Sequence, residues 1–264
     1  MTPSAYLNER NALLRRITRQ LEADARVVAA WLFGSLGRGD ADALGDIDLW
    51  VVIADDAIEA IVAHRRRYAA QVGEPVLTLE ALQNAPLGGA YLMTAYDASS
   101  GPHIVDWYWQ PRSLAFIPPQ IQLLFDRAGL AAGDAPMSFV GGSPDPTLEA
   151  QPMHFISFFW MMWLITAKHV ARTPHSESVP LLFYMLDPLC KTQRFLEFPE
   201  DPCYLSGVLP SLPSPQEKLD TLRRLADEMV ALMKQVSAKG QAVPEAVVPG
   251  AYRYLDLVDV VVKI

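Results

Sequence analysis

The sequence predicts two successive architectures: an α/β (α+β) half with a mixed sheet, then an all-α half built as a helical bundle. Three observations predict this. Short apolar runs of strand length alternate with helix-period segments up to about residue 129. A stretch rich in proline and glycine, "GGSPDPT" at 141–147, then interrupts the pattern as a linker would. Beyond it, the periodic segments have helical spacing. The expected domains are therefore residues 1–140 and 148–264.

Residues 6–25 place Leu7, Leu13, Leu14, Ile17 and Leu21 at helical spacing. "RVVAAWLF" (26–33) reads as a short strand ended by Gly34, and "DIDLWVVIA" (46–54) as a second. Residues 55–73 form one expected helix with acids in its first turn. Residues 89–111 carry two β-rich runs around "DASSGP", the pattern of a hairpin closed by Pro111. "IQLLFDRAG" (121–129) is a further strand. In the second half, a long helix starts after Pro152, a second spans 178–198 with a kink or split at Pro188, and a third spans 214–240.

Of the 264 residues, 51% are hydrophobic, enough for a sizeable core. The net charge of -8 argues against a long nucleic acid as partner, since a phosphate backbone needs a basic surface. An acidic surface suits small cationic molecules instead. The start of the chain has no apolar signal-peptide core, and the run "FISFFWMMWLITA" (155–167) falls short of the roughly 20 residues that cross a bilayer. A cytoplasmic protein with no membrane partner is expected, with Cys190 and Cys203 as reduced thiols.

The most informative stretch is "WLFGSLGRGDADALGDIDLWVV" (31–52). On a strand, residues i and i+2 share a face, so Asp46 and Asp48 project side by side, their Cα atoms about 6.5–7 Å apart. Two such carboxylates suit a pair of divalent ions that bracket an in-line phosphoryl displacement. Gly34-Ser35 ends the preceding strand where a short helix can begin. Backbone N–H groups there form an anion site, and glycine lets a phosphate approach closely.

Gly-Ser, a spacer, then Asp-hydrophobic-Asp resembles the signature of the DNA polymerase β-like nucleotidyltransferase superfamily. Gly37-Arg38-Gly39 fits a common variant of the spacer, whereas Gly45 stands where many members have serine, at the cost of one hydrogen bond. The resemblance implies two Mg²⁺ ions, with a third carboxylate from a later strand. Asp106 in "HIVDWYW" is the candidate, giving Asp46, Asp48 and Asp106 as metal and catalytic residues. A nucleotidyltransferase domain followed by a helical domain also resembles the antibiotic nucleotidyltransferases acting on aminoglycosides and lincosamides. That resemblance implies ATP as donor, AMP transfer to a hydroxyl of a small, cationic acceptor, and antibiotic resistance as the role. It also implies nucleotide contacts from Gly34, Ser35, Arg38 and Lys168, of which Arg38 reads equally as an exposed turn residue and Lys168 as a helix-end cation.

Trp160, Met161, Met162 and Trp163 read as core, and the run Arg65-Arg66-Arg67 as a solvated helix face. Two other functions compete. One is a minimal-nucleotidyltransferase antitoxin fused to a helical domain, against which Arg172 and His175 stand too close together with Pro174 between them. The other is a nucleotide-binding protein without turnover.

Overall fold

A computed structural model describes residues 1–176, 179–198 and 211–263. The chain divides into two compact units, one comprising Ser4–Tyr96 and His103–Asp145, the other Met1–Pro3, Asp97–Pro102 and Pro146–Ile264.

The first unit opens with α1 (Pro3–Ala23) and β1 (Val27–Leu32), then the short α2 (Gly34–Arg38) and β2 (Ile47–Ile53). Two short helices follow, α3 (Ile58–Ala63) and α4 (Arg65–Ala70), then β3 (Leu77–Leu79), β4 (Ala90–Tyr96), β5 (His103–Pro111) and β6 (Gln122–Asp126). The strands form a six-stranded mixed sheet in the order β3-β4-β5-β2-β1-β6. Only β2 and β5 run parallel; the other four pairings are antiparallel. One face of the sheet carries Leu32, Leu49, Val51, Leu92, Val105 and Trp107, packed with Leu13, Ile17 and Leu21 of α1 and with Ile61 and Tyr68 of α3 and α4. That is the amphipathic pattern of both element types closing on one core.

The expected single helix over 55–73 is two. The chain breaks at His64, whose N–H bonds the Ile61 carbonyl, while Arg65 Nη1 donates to the Val62 carbonyl at 2.8 Å. Beyond the break, Arg65 and Arg66 both reach Glu80, Arg66 through Nε at 2.7 Å. Arg66 and Arg67 are exposed, as a solvated face requires, while Arg65 is half-buried; burial of Glu80 opposes ionisation, but its bonds to Arg65 and Arg66 hold its pKa below the usual carboxylate range. The three-residue β3, which no periodicity announces, exists because β4 supplies its partner.

In the second unit, α5 (Pro146–Glu149) is followed by α6 (Pro152–Arg172), α7 (Phe183–Phe195), α8 (Pro215–Ala238) and α9 (Val247–Val262). The long α6 packs against α7, α8 and α9. Trp160, Met161 and Trp163 are buried as expected, with Trp163 Nε1 donating to the Leu222 carbonyl at 2.9 Å. Pro188 does not split α7, which continues through it. A capping box between Ser214 and Glu217 starts α8, and Pro215 occupies its first turn. No segment reading singled out α9, whose first turn holds Pro249 and Gly250 and whose last is a run of valines; packing on α6 outweighs that weak propensity. Cys190 is buried, and Cys203 lies outside the described residues. No helix among the described residues is long and apolar enough to cross a membrane.

His103, at the start of β5, is buried with its ring 4.1 Å from that of Tyr6 and with neither ring nitrogen hydrogen-bonded. Burial, then the nearby Arg10 and Arg16, push its pKa down to about 4. At neutral pH the imidazole is uncharged and makes no ion pair with Glu9, whose Oε2 lies 3.7 Å from Nε2. An unfolded histidine titrates near ~6.5. The stability this residue contributes is thus complete above about pH 6.5 and is lost as pH falls through the folded value, with an amplitude of roughly 3 kcal/mol. Urea unfolding of a His103→Phe protein should accordingly be less sensitive to pH between about 6.5 and 4 than that of the parent. Parallel pH dependences would refute this account.

Candidate active site

The site is built from the β1–α2–β2 connection. Gly34 opens α2 with φ +61, a left-handed conformation that L side chains rarely adopt. A Cβ placed there would stand 2.0 Å from Asp48 Oδ2, so the absent side chain is what leaves room for this carboxylate. The Phe33 N–H, just before α2, bonds the Asp48 carbonyl at 3.1 Å and ties the turn to β2. The first N–H groups of α2, at Gly34 and Ser35, have no acceptor within their own helix.

Asp48 is the second residue of β2 and pairs in register with Asp106 on the parallel neighbour β5. Directly paired residues on adjacent strands face the same side, so the two carboxylates stand together at one end of the sheet. Both lie on the face opposite the large helical core. Asp48 is half-buried and Asp106 is 6% exposed, its Oδ1 accepting a hydrogen bond from the Tyr91 hydroxyl. Asp46 precedes β2 by one residue, where no ladder hydrogen bonds enforce strand alternation. Among the described residues no three Asp, Glu, His or Cys side chains are arranged to hold a metal ion. The expected trio is thus not a preformed cage: the backbone aligns Asp48 with Asp106, while Tyr91 engages one oxygen of Asp106.

Residues that no motif announced support these acids. Tyr91, Tyr108, Trp50 and Trp31 pair successively across four adjacent strands and form an aromatic row beside the carboxylates. Trp50 and Tyr108 stack at 5.3 Å, Trp31 and Trp50 at 6.2 Å, and Phe33 meets Tyr108 edge-on at 5.0 Å. Burial raises the pKa of Tyr108, and the charges of Asp106 and Asp48 raise it further, so both carboxylates act on one phenol. Tyr91 is raised by burial and then by Asp106, which keeps it a hydrogen-bond donor at any working pH.

Arg10, from the apolar face of α1, is buried at 4% exposure and donates Nη1 to the Asp42 carbonyl at 2.9 Å and the Gly45 carbonyl at 3.2 Å. Burial lowers its pKa, while the charges of Tyr6, Asp42 and Asp46 oppose the shift. A Cβ on Gly45 would stand 2.9 Å from that nitrogen, so glycine here leaves room for the guanidinium that anchors the turn before Asp46. One sequence signal announces Arg10: a charge in step with Tyr6, Leu13, Ile17 and Leu21 needs a buried partner.

Arg38 is exposed and pairs with Asp40 at 3.1 Å. Lys168 is 8% exposed on α6 in the helical unit. That helix ends at Arg172, leaving His175 beyond Pro174 in a turn, so an arginine–histidine pair on one helix is absent there.

The donor set fits Mg²⁺, a hard cation that prefers oxygen. Mg²⁺ is commonly bound by one or two carboxylates together with substrate phosphates and water, rather than by an all-protein cage. Asp48, with its flank left open by Gly34, meets that requirement.

Residues 13–81 match the family described as Nucleotidyltransferase domain, a span that contains Gly34, Ser35, Asp46 and Asp48 but not Asp106. No curated protein matches the chain. Similar solved structures include a STING-associated CdnE c-di-GMP synthase from Capnocytophaga granulosa, with 12% identity, 98% of this chain and 81% of that chain covered, and a TM-score of 0.29. A second is the E. coli MS115-1 CdnC:HORMA-deltaN complex, with 14% identity, 97% and 92% covered, and a TM-score of 0.30. Likeness at this level does not extend to activity. The match gives the first unit a nucleotidyltransferase domain over residues 13–81, built on a mixed sheet.

Proposed function

We propose that the chain transfers AMP from ATP to a hydroxyl of a small molecule, with Asp46, Asp48 and Asp106 as the reactive acids. The observation that carries this reading is the register of Asp48 with Asp106 on parallel strands, beside a glycine whose missing side chain leaves the Asp48 carboxylate accessible. Mg²⁺ held by these acids would supply charge neutralisation along the polyphosphate and polarisation of the reacting phosphorus.

The protein's own groups do the rest. The N–H groups at Gly34 and Ser35 receive phosphate oxygens at the start of α2. Arg10 holds the Asp42–Gly45 turn in place, and Tyr91 fixes the orientation of Asp106. The Asp106 carboxylate accepts the acceptor hydroxyl's proton as oxygen attacks the α-phosphorus; the bond to the bridging oxygen then breaks and pyrophosphate leaves. The net charge of -8 favours a cationic acceptor.

Pyrophosphate release is the test: the protein is incubated with Mg²⁺, ATP and a panel of aminoglycosides and lincosamides, with GTP, CTP and UTP as alternative donors. Acceptor-dependent release with ATP is expected. Release with another nucleotide alone would refute the donor, and release independent of every acceptor would refute the small-molecule hydroxyl.

A further inference from the structure

Between α5, α6 and α7, the helical unit forms an open cleft of about 170 Å³ lined by its own residues. One wall is aromatic: Phe155 and Phe158 lie one helical turn apart on α6, and Phe183 and Tyr184 open α7 with their rings edge-on at 6.2 Å. Phe183 and Tyr184 remain 51% and 49% exposed, a large apolar surface to leave in water beside a cleft.

The charges in this lining do not balance. Lys191 pairs with Asp187 at 3.0 Å one turn away on α7. Glu149, half-buried at the end of α5, has no hydrogen bond or ion pair among the described residues. Two carboxylates, Glu149 and Asp187, face a single ammonium, Lys191, in a lining that holds four phenyl or phenol rings. Ring faces attract cations, and a carboxylate beside them adds to that attraction while repelling phosphate or carboxylate ligands. A cavity of ~150 Å³ takes a benzene-sized group.

We infer that this cleft is a binding site for a compact organic cation, an ammonium group carried on a small aromatic or aliphatic body. The inference is independent of nucleotidyl transfer, because it rests only on the lining of α5, α6 and α7.

The test uses the full chain without nucleotide or metal, titrated with benzylammonium and with its near-isosteric neutral analogue benzyl alcohol, by calorimetry and saturation-transfer NMR at low salt. Saturable binding of benzylammonium is expected, with benzyl alcohol roughly three- to tenfold weaker. Glu149→Gln should abolish that preference while leaving benzyl alcohol unchanged. Lys191→Gln, which frees the Asp187 carboxylate, should tighten benzylammonium about two- to fivefold, a gain that misfolding cannot produce. Equal affinity for the two probes, no saturable binding of benzylammonium, or a preference that survives Glu149→Gln would each overturn the assignment.

Discussion

Asp48→Asn is expected to reduce nucleotidyl transfer by about 10²–10³-fold, or roughly 3–4 kcal/mol of barrier, while the protein stays folded. The replacement is isosteric, and its backbone keeps both the Phe33 N–H bond and the β2–β5 ladder. The side chain is half-buried at the sheet's end rather than in the helical core, so little packing is lost. What is removed is one negative charge at the position best placed to hold a metal against phosphate. The check combines pyrophosphate release with thermal unfolding of parent and variant. A folded Asp48→Asn protein that turns over at the parental rate would refute the assignment of this carboxylate.

Gly34→Ala should produce the second largest effect, and through the same carboxylate. A side chain at φ +61 costs on the order of 1–2 kcal/mol in backbone strain. The new Cβ would stand 2.0 Å from Asp48 Oδ2, so the carboxylate must swing aside or the turn must shift. Stability should fall by roughly 1–3 kcal/mol and activity by more than about tenfold. Since both changes act on one group, adding Gly34→Ala to Asp48→Asn should cost little further activity. Parental kcat in the single variant would show that the carboxylate does not need the space glycine leaves. Full additivity in the pair would show that the two residues act separately.

Much of the site was legible in the chain because its signals are local. Gly34-Ser35 follows one strand-length apolar run and Asp46-Ile47-Asp48 opens the next, a pattern visible without any knowledge of the fold, although β2 itself begins only at Ile47. The supporting residues have no such signal. Tyr91 meets Asp106 only through the register of the β4–β5 hairpin, in which Met93 pairs with Asp106 and Tyr91 with Tyr108. Trp50 and Tyr108 stack because β2 and β5 are neighbours, although 58 positions separate them in the numbering. Arg65 and Arg66, just after the break at His64, likewise meet Glu80 from beyond the end of α4.

The class of fold, a mixed sheet followed by helices, and a glycine turn placed shortly before two acids are both written in the chain. Periodicity and near-neighbour spacing carry that information, since a pattern of period 2 or 3.6 decides which face an element buries. Folding is needed to align Asp48 with Asp106, to give Tyr91 one oxygen of Asp106, and to bring Arg10 to carbonyls 32 and 35 residues along the chain, where it pins the turn before Asp46. These contacts depend on strand order and register. Burial of the whole sheet face selects them, and no short stretch of sequence encodes them.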